Sequence, residues 1–200
     1  MNVLLLSGGL DSSALAVGIR PALCLTIDYG QRAAAGEIAA SEALCKELEL
    51  QHRLIRVDLS HLGSGDMATR SASASTSSAS EFWPFRNQML ITLAGMFLLP
   101  EGIDEIIIGS VAKDRHADGR GPFLRAIDRL MRLQEGNIRV SAPAARISTV
   151  DLLKNVNFPR ELAGITFSCH VHKYACGSCN GCRKHRTVIE DVYGESGRLR

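Results

Sequence analysis

No stretch of this chain stays apolar long enough to cross a membrane. The longest candidate, Met89 to Leu99, is interrupted by Thr92 and Gly95 and has about half of the ~20 residues a span requires. An excess of one charge is also missing. The formal net charge is +2, so neither a nucleic acid nor an acidic membrane is expected as the main partner. No basic segment precedes the first apolar run, and no small-residue cleavage site follows it. A secretory signal is therefore not expected, and the cytoplasm is the expected compartment. Internal repeats are lacking. So is any Ser-His-Asp or Cys-His pairing of the kind that nucleophilic enzymes use.

What is present suits one domain of 200 residues with a small appendage. The composition is 46% hydrophobic and 22% charged, enough apolar material for a core. Val3–Leu6, Ala22–Asp28, His52–Asp58, Glu105–Ser110 and Ile138–Ser141 read as strands. Asp11–Ile19, Ala33–Leu50, Arg86–Leu99 and Pro122–Gln134 read as helices. Ser148, with Asp151 three residues on, marks a further helix start. Between Ser60 and Phe82 runs a segment without periodicity, centred on SASASTSSAS. It is expected to be a tolerated flexible insertion or a lid. Alternating strands and helices predict an α/β fold with a doubly wound, parallel, five-stranded sheet. Such a sheet binds ligands beyond the carboxyl ends of its strands, beside the first strand. Residues 1–160 would form this domain, and residues 161–200 a C-terminal cysteine-bearing segment and helix.

The first strand runs into Ser7-Gly8-Gly9-Leu10-Asp11-Ser12-Ser13. A helix N-terminus offers unpaired N–H groups and a positive dipole end. Glycines let an anion approach the backbone closely, and serine hydroxyls add donors. Together they predict a phosphate cradle. No lysine stands in the motif, so it is neither of the common Gly-rich phosphate loops.

Six cysteines are present. Cys24 and Cys45 sit in apolar patterns, where a free thiol packs as a small hydrophobe. Cys169, Cys176, Cys179 and Cys182 follow the spacing C-x6-C-x2-C-x2-C. Four thiolates satisfy tetrahedral Zn²⁺ and leave no open position, which predicts a structural site. Free thiols, disulfides and an iron–sulfur cluster are the alternatives. His170 and His172 are possible rivals as ligands.

SGGLDSS resembles the PP-loop, SGGxDS, of the N-type ATP pyrophosphatases. That resemblance implies that Ser7, Gly8, Gly9, Leu10, Asp11, Ser12 and Ser13 bind ATP, with Asp11 a ligand for Mg²⁺. A PP-loop followed by four C-terminal cysteines is similar to the 7-cyano-7-deazaguanine synthase family. Further matches are Asp28-Tyr29-Gly30-Gln31-Arg32, Val57-Asp58-Leu59-Ser60, Pro84-Phe85-Arg86-Asn87, Asp118-Gly119-Arg120 with Phe123, Ser141-Ala142-Pro143, and Thr166-Phe167-Ser168-Cys169. Ala33 stands where that family commonly has histidine, and Gly119 where it has cysteine.

The resemblance implies an adenine nucleotide α-hydrolase-like fold (HUP) and a small-molecule substrate, 7-carboxy-7-deazaguanine, converted with ATP and ammonia to the nitrile. It also implies a homodimer. Tyr29, Gln31 and Arg32 would line the adenosine side, with Asn87 binding a ligand oxygen or capping its helix. Gly109, at the end of the fourth strand, would allow the nucleotide close. Arg86 and Lys113 would hold phosphate or the substrate carboxylate, and Asp118 a purine-like edge. Asp11, Arg86, Lys113 and Asp118 are thus the expected catalytic residues. His116 is a candidate proton shuttle. Two other readings stay open here. One is a related ligase that passes the activated acid to another amine or a protein acceptor. The other is a non-catalytic nucleotide- or RNA-binding zinc module.

Overall fold

A computed structural model describes residues 1–68, 81–83, 85–112 and 116–194. The elements in chain order are β1 (Asn2–Leu5), α1 (Leu10–Ile19), β2 (Leu23–Asp28), α2 (Ala34–Glu47) and β3 (His52–Arg56). Two-residue strands β4 (Ser64–Gly65) and β5 (Glu81–Phe82) pair antiparallel. Then come α3 (Arg86–Leu98), β6 (Glu105–Ile107), α4 (Gly121–Arg132) and β7 (Arg139–Ser141). The chain closes with α5 (Thr149–Asn155), α6 (Arg160–Ala163) and α7 (Asn180–Tyr193).

The main sheet has five parallel strands in the order β3-β2-β1-β6-β7. The expected α/β architecture is therefore present, with β1 between β2 and β6.

Period-two alternation along the strands assigns each apolar residue to one face. On one side Val3, Leu25, Ile27 and Ile106 pack with Ile91, Ala94 and Leu98 of α3 and Ile127 and Met131 of α4. On the other, Leu4, Leu6, Cys24 and Ile107 meet Ala14 and Leu15 of α1, Leu44 and Cys45 of α2, Leu152 and Leu153 of α5 and Val188 of α7. A strand covered on both faces needs a continuous apolar run, as in Val3–Leu6. Burying each of the Val, Leu, Ile and Met side chains among them stabilises the fold by about 1.5–3 kcal/mol.

Two local signals act as the sequence predicts. The Ser148 hydroxyl oxygen accepts a hydrogen bond from the Asp151 amide at 3.1 Å and starts α5. Pro122 lies in the first turn of α4, where a missing N–H is harmless. Of the segment 60–82, the ends are anchored. Met67, Ala68 and Trp83 are buried, and the Arg32 amide donates to the Met67 carbonyl at 2.9 Å. Its Ser/Ala centre, 71–80, lies outside the described residues.

Candidate functional site

The carboxyl ends of β1, β2 and β6 open into a cavity of about 820 Å³. Ser7, Gly9, Asp11 and Ser12 form one wall, Tyr29, Arg86 and Asn87 another, and Gly109 and His116 a third. A fourth wall comes from residues 167–170 and the first turns of α7.

The two glycines of the motif do different things. Gly8 has φ +72°, and a Cβ there would lie 2.8 Å from the Ala40 Cβ and 3.0 Å from the Glu37 carbonyl. It is a packing requirement. Gly9 has an extended backbone (φ −77°, ψ 164°), and its nearest neighbours would be at 3.5 Å or more from a Cβ. Nothing inside the protein demands glycine at position 9, and the residue lines the cavity. No side chain caps the first turn of α1. Its donors face the same space, and the buried Asp11 Oδ1 has no hydrogen-bond partner. Ser7 and Ser12 support the turn from within, with their hydroxyls 3.2 Å apart and the Ser12 hydroxyl donating to the Gly9 carbonyl. An uncapped, hydroxyl-lined turn of this kind can seat an anion.

Other expected residues are placed as follows. Ser13 is fully buried and does not line the cavity. Gln31 turns inward. Its Oε1 accepts from the Tyr29 amide at 2.9 Å, and its Nε2 donates to Glu37 Oε2 at 2.7 Å. Arg32 is exposed. Gly109 lies against the motif itself, since a Cβ there would sit 3.3 Å from the Ser12 nitrogen. Asn87 and Asp118 clasp each other. The Asn87 amide donates to Asp118 Oδ2 at 3.1 Å, and the Asn87 Nδ2 donates to the Asp118 carbonyl at 2.9 Å. Asp118 thus braces the start of α3 and does not line the cavity. Lys113 lies outside the described residues.

The structure adds residues that carry no local sequence signal. Glu37, on the first turn of α2, lines the cavity. Burial raises its carboxyl pKa, only partly offset by the Gln31 hydrogen bond and the nearby Arg86 charge. Ser168 and His185 meet at 3.0 Å, and burial lowers the His185 pKa. The Phe167 amide donates to the Gly8 carbonyl at 2.7 Å, joining the C-terminal segment to the motif.

The four sulfurs of Cys169, Cys176, Cys179 and Cys182 lie within 4.8 Å of one another. Cys176 Sγ is 3.9 Å from Cys182 Sγ, and Cys179 Sγ is 4.0 Å from Cys169 Sγ. A tetrahedron with ~2.3 Å metal–sulfur bonds has edges of about 3.8 Å, so the set fits one ion. The Cys179 and Cys182 amides each donate to a sulfur at 3.4 Å, which favours thiolates. The Ser178 hydroxyl is the largest influence pulling Cys176 down to about 5. Burial pushes Cys182 up to about 12, a penalty that a bound cation would offset.

The family model described as "Queuosine biosynthesis protein QueC" matches residues 1–192. The chain belongs to the QueC family. Among curated QueC-family relatives, the 7-cyano-7-deazaguanine synthase of Anaeromyxobacter dehalogenans (strain 2CP-C) is 34% identical over 212 residues, spanning 92% of this chain and 88% of its own length. That of Anaeromyxobacter sp. (strain Fw109-5) is 33% identical over 207 residues, with 90% and 87% covered. That of Methanosarcina mazei is 27% identical over 216 residues, with 95% and 94% covered. Among solved structures, the U34-tRNA thiolase NcsA from Methanococcus maripaludis with its 4Fe-4S cluster gives a TM-score of 0.46 at 14% identity, covering 96% of this chain and 63% of that one.

Proposed function

We propose that this QueC-family chain is an ATP-dependent 7-cyano-7-deazaguanine synthase. The observation that carries the reading is the uncapped Ser7–Ser13 turn, which opens into a cavity of about 820 Å³. The carboxylate of 7-carboxy-7-deazaguanine attacks the α-phosphorus of ATP, and pyrophosphate leaves from the cradle. Ammonia displaces AMP and gives the amide. The amide oxygen is adenylated by a second ATP, and loss of AMP and a proton leaves the nitrile. The protein's work is alignment, charge compensation and exclusion of water.

Within that reading, Ser7, Gly9, Leu10 and Ser12 hold the polyphosphate. Gly8 and Ser13 keep the turn in shape. Asp11, with its buried and unpartnered Oδ1, fits Mg²⁺, which supplies compensation for phosphate charge. Arg86 takes the substrate carboxylate, because its fork matches two oxygens. Tyr29 lines the adenosine side, with Gln31 and Arg32 fixing its loop. Asn87 and Asp118 position Arg86 by holding the first turn of α3. Gly109 lets β6 close on the cradle. Lys113 is assigned to phosphate or substrate carboxylate on sequence grounds alone. Zn²⁺ in the four-cysteine site would fold residues 169–182 and supply no chemistry.

A cytoplasmic homodimer completes the reading. The dimer is supported by large apolar side chains left exposed on two helices, Met96 and Phe97 of α3 and Leu130 and Leu133 at the end of α4.

The test is direct. Purified protein is incubated with the acid, ATP, Mg²⁺ and ammonia, and products are followed by mass spectrometry. Nitrile and two AMP per turnover are expected. A product that stops at the amide, or turnover only with a protein partner, would point to a different acceptor. No release of pyrophosphate would sink the enzymatic reading.

A further inference from the structure

The cradle Ser7–Ser13 has amides, hydroxyls and one carboxylate, but no cation. A nucleoside triphosphate brings several negative charges to it, and Asp11 adds another. Such charge calls for a positive partner close by. That partner can come only from another part of the wall.

The wall formed by α7 contributes two permanent cations, Arg183 and Lys184. Arg183 is committed to its own segment. Its guanidinium donates to the Ser178 carbonyl and, at 2.6 Å, to Asn180 Oδ1. Lys184 is not. Its Nζ stands 3.6 Å from Asp11 Oδ2, too long for a good hydrogen bond. Among the described residues that is its one partner. Its three N–H donors are therefore poorly used, and its side chain is 61% exposed beside an Asp11 that is 24% exposed.

The backbone beneath Lys184 is held firmly. Cys179 accepts from the Cys182 amide and caps α7. A Cβ on Gly181 would come within 1.9 Å of the Ser168 carbonyl, so the first turn of α7 lies tight against that strand of chain. Val188, four residues after Lys184 and on the same helix face, is buried in the core. Lys184 thus carries a solvent-exposed ammonium on a firmly held backbone at the mouth of the cradle.

We propose that Lys184 is a catalytic residue that binds the β- and γ-phosphoryl groups of the nucleoside triphosphate seated on Ser7–Ser13. The proposal rests on the nucleotide reading of the site. Before substrate arrives, Lys184 and Asp11 neutralise each other. When the nucleotide enters, the ammonium turns to phosphoryl oxygens, which would leave the Asp11 carboxylate able to hold a divalent cation. As the acid's carboxylate oxygen bonds to the α-phosphorus, the bond from phosphorus to the α,β-bridging oxygen breaks. Its electron pair leaves on pyrophosphate. Lys184 stays protonated and stabilises that charge, and no proton moves through it.

The experiment compares the full-length wild type, Lys184→Met and Lys184→Arg, each checked for metal content and Tm. Pyrophosphate with Mg²⁺, and AMP alone, are titrated separately by calorimetry. Losing a charge-assisted bond of about 1.5–3 kcal/mol corresponds to ~10–150-fold. Lys184→Met should weaken pyrophosphate by that factor, leave AMP within about twofold, and lower kcat/KM for ATP in parallel. Lys184→Arg should recover most of the loss. Unchanged pyrophosphate affinity in Lys184→Met overturns the proposal. So does equal weakening of pyrophosphate and AMP, or failure of arginine to rescue. A wild type that binds neither ligand overturns the nucleotide reading itself, a different and recognisable outcome.

Discussion

The backbone amide of Phe167 donates to the carbonyl of Gly8 at 2.7 Å. The same phenylalanine ring lies over Gly36, where an added Cβ would come within 2.4 Å of it. The C-terminal segment is therefore fastened to the Gly-rich turn and to the start of α2, two residues before its first cysteine.

That attachment makes the cysteine site matter to the cleft. Stripping the metal with a strong chelator, or Cys176→Ser, should lower stability by at least ~2 kcal/mol, about 4–8 °C in Tm for a domain of this size. Nucleotide affinity should fall with it. Elemental analysis of the native protein should return one zinc and no iron per chain. Full ATP binding by a metal-free protein would separate the two features.

Gly8 and Gly9 should respond in opposite ways to the same methyl group. Gly8→Ala forces a left-handed residue and a clash with Ala40. It should cost about 2–4 kcal/mol of stability. Gly9→Ala meets no clash and should change Tm by no more than ~2 °C, yet it should weaken ATP binding by tenfold or more, roughly the ~1.4 kcal/mol of a lost close contact. Thermal melts and ATP titrations on the pair give the answer. A Gly9→Ala protein that binds ATP normally would remove the argument for a close phosphate.

Much of this was legible from residue types and spacing. The apolar run Val3–Leu6 and the expected strand Glu105–Ser110 supply the inner strands β1 and β6, Ser148 caps α5, and four cysteines at short intervals converge. Each of these signals is local. Glu37 and Lys184 were not legible, because each gains its place from a contact over a long sequence distance or from burial inside a helix with no distinctive period. Polar loops have no period to read either. Asp118 was expected at a purine edge, and its engagement with Asn87 follows from a turn geometry that composition does not encode.

Glu37 gives a pH signature. Its folded-state pKa is raised above the ordinary 4.5, chiefly by burial, so the folded protein holds that proton more tightly than the unfolded chain. Below 4.5 both states are protonated and the burial carries no penalty. As pH rises through the raised value, the folded state acquires a buried charge and loses stability. Glu37→Gln keeps an acceptor for Gln31 and removes the charge. It should raise Tm at pH 7–8 and leave it unchanged near pH 4, in melts across that range. Equal gains at both ends would mean that ionisation is not the cause.

The exposed apolar side chains test the assembly. Leu133, at the end of α4, is 74% exposed, and Met96 of α3 is 68% exposed. Leu133→Glu should shift the protein from dimer to monomer in light scattering coupled to gel filtration, with Tm of the monomer altered by no more than ~0.5 kcal/mol equivalent. A wild type that is monomeric at tens of micromolar would rule out the homodimer.

Asp11 and Lys184 face each other across 173 positions of sequence. A ribosome releases the Gly-rich turn long before α7, the helix that carries Lys184. A nascent polypeptide that has not yet made α7 therefore presents the turn without an ammonium beside it. Cleavage ahead of α7 would take Val188 out of the core along with Lys184 from the mouth of the cavity, so trimming of that helix should cost stability and nucleotide affinity together.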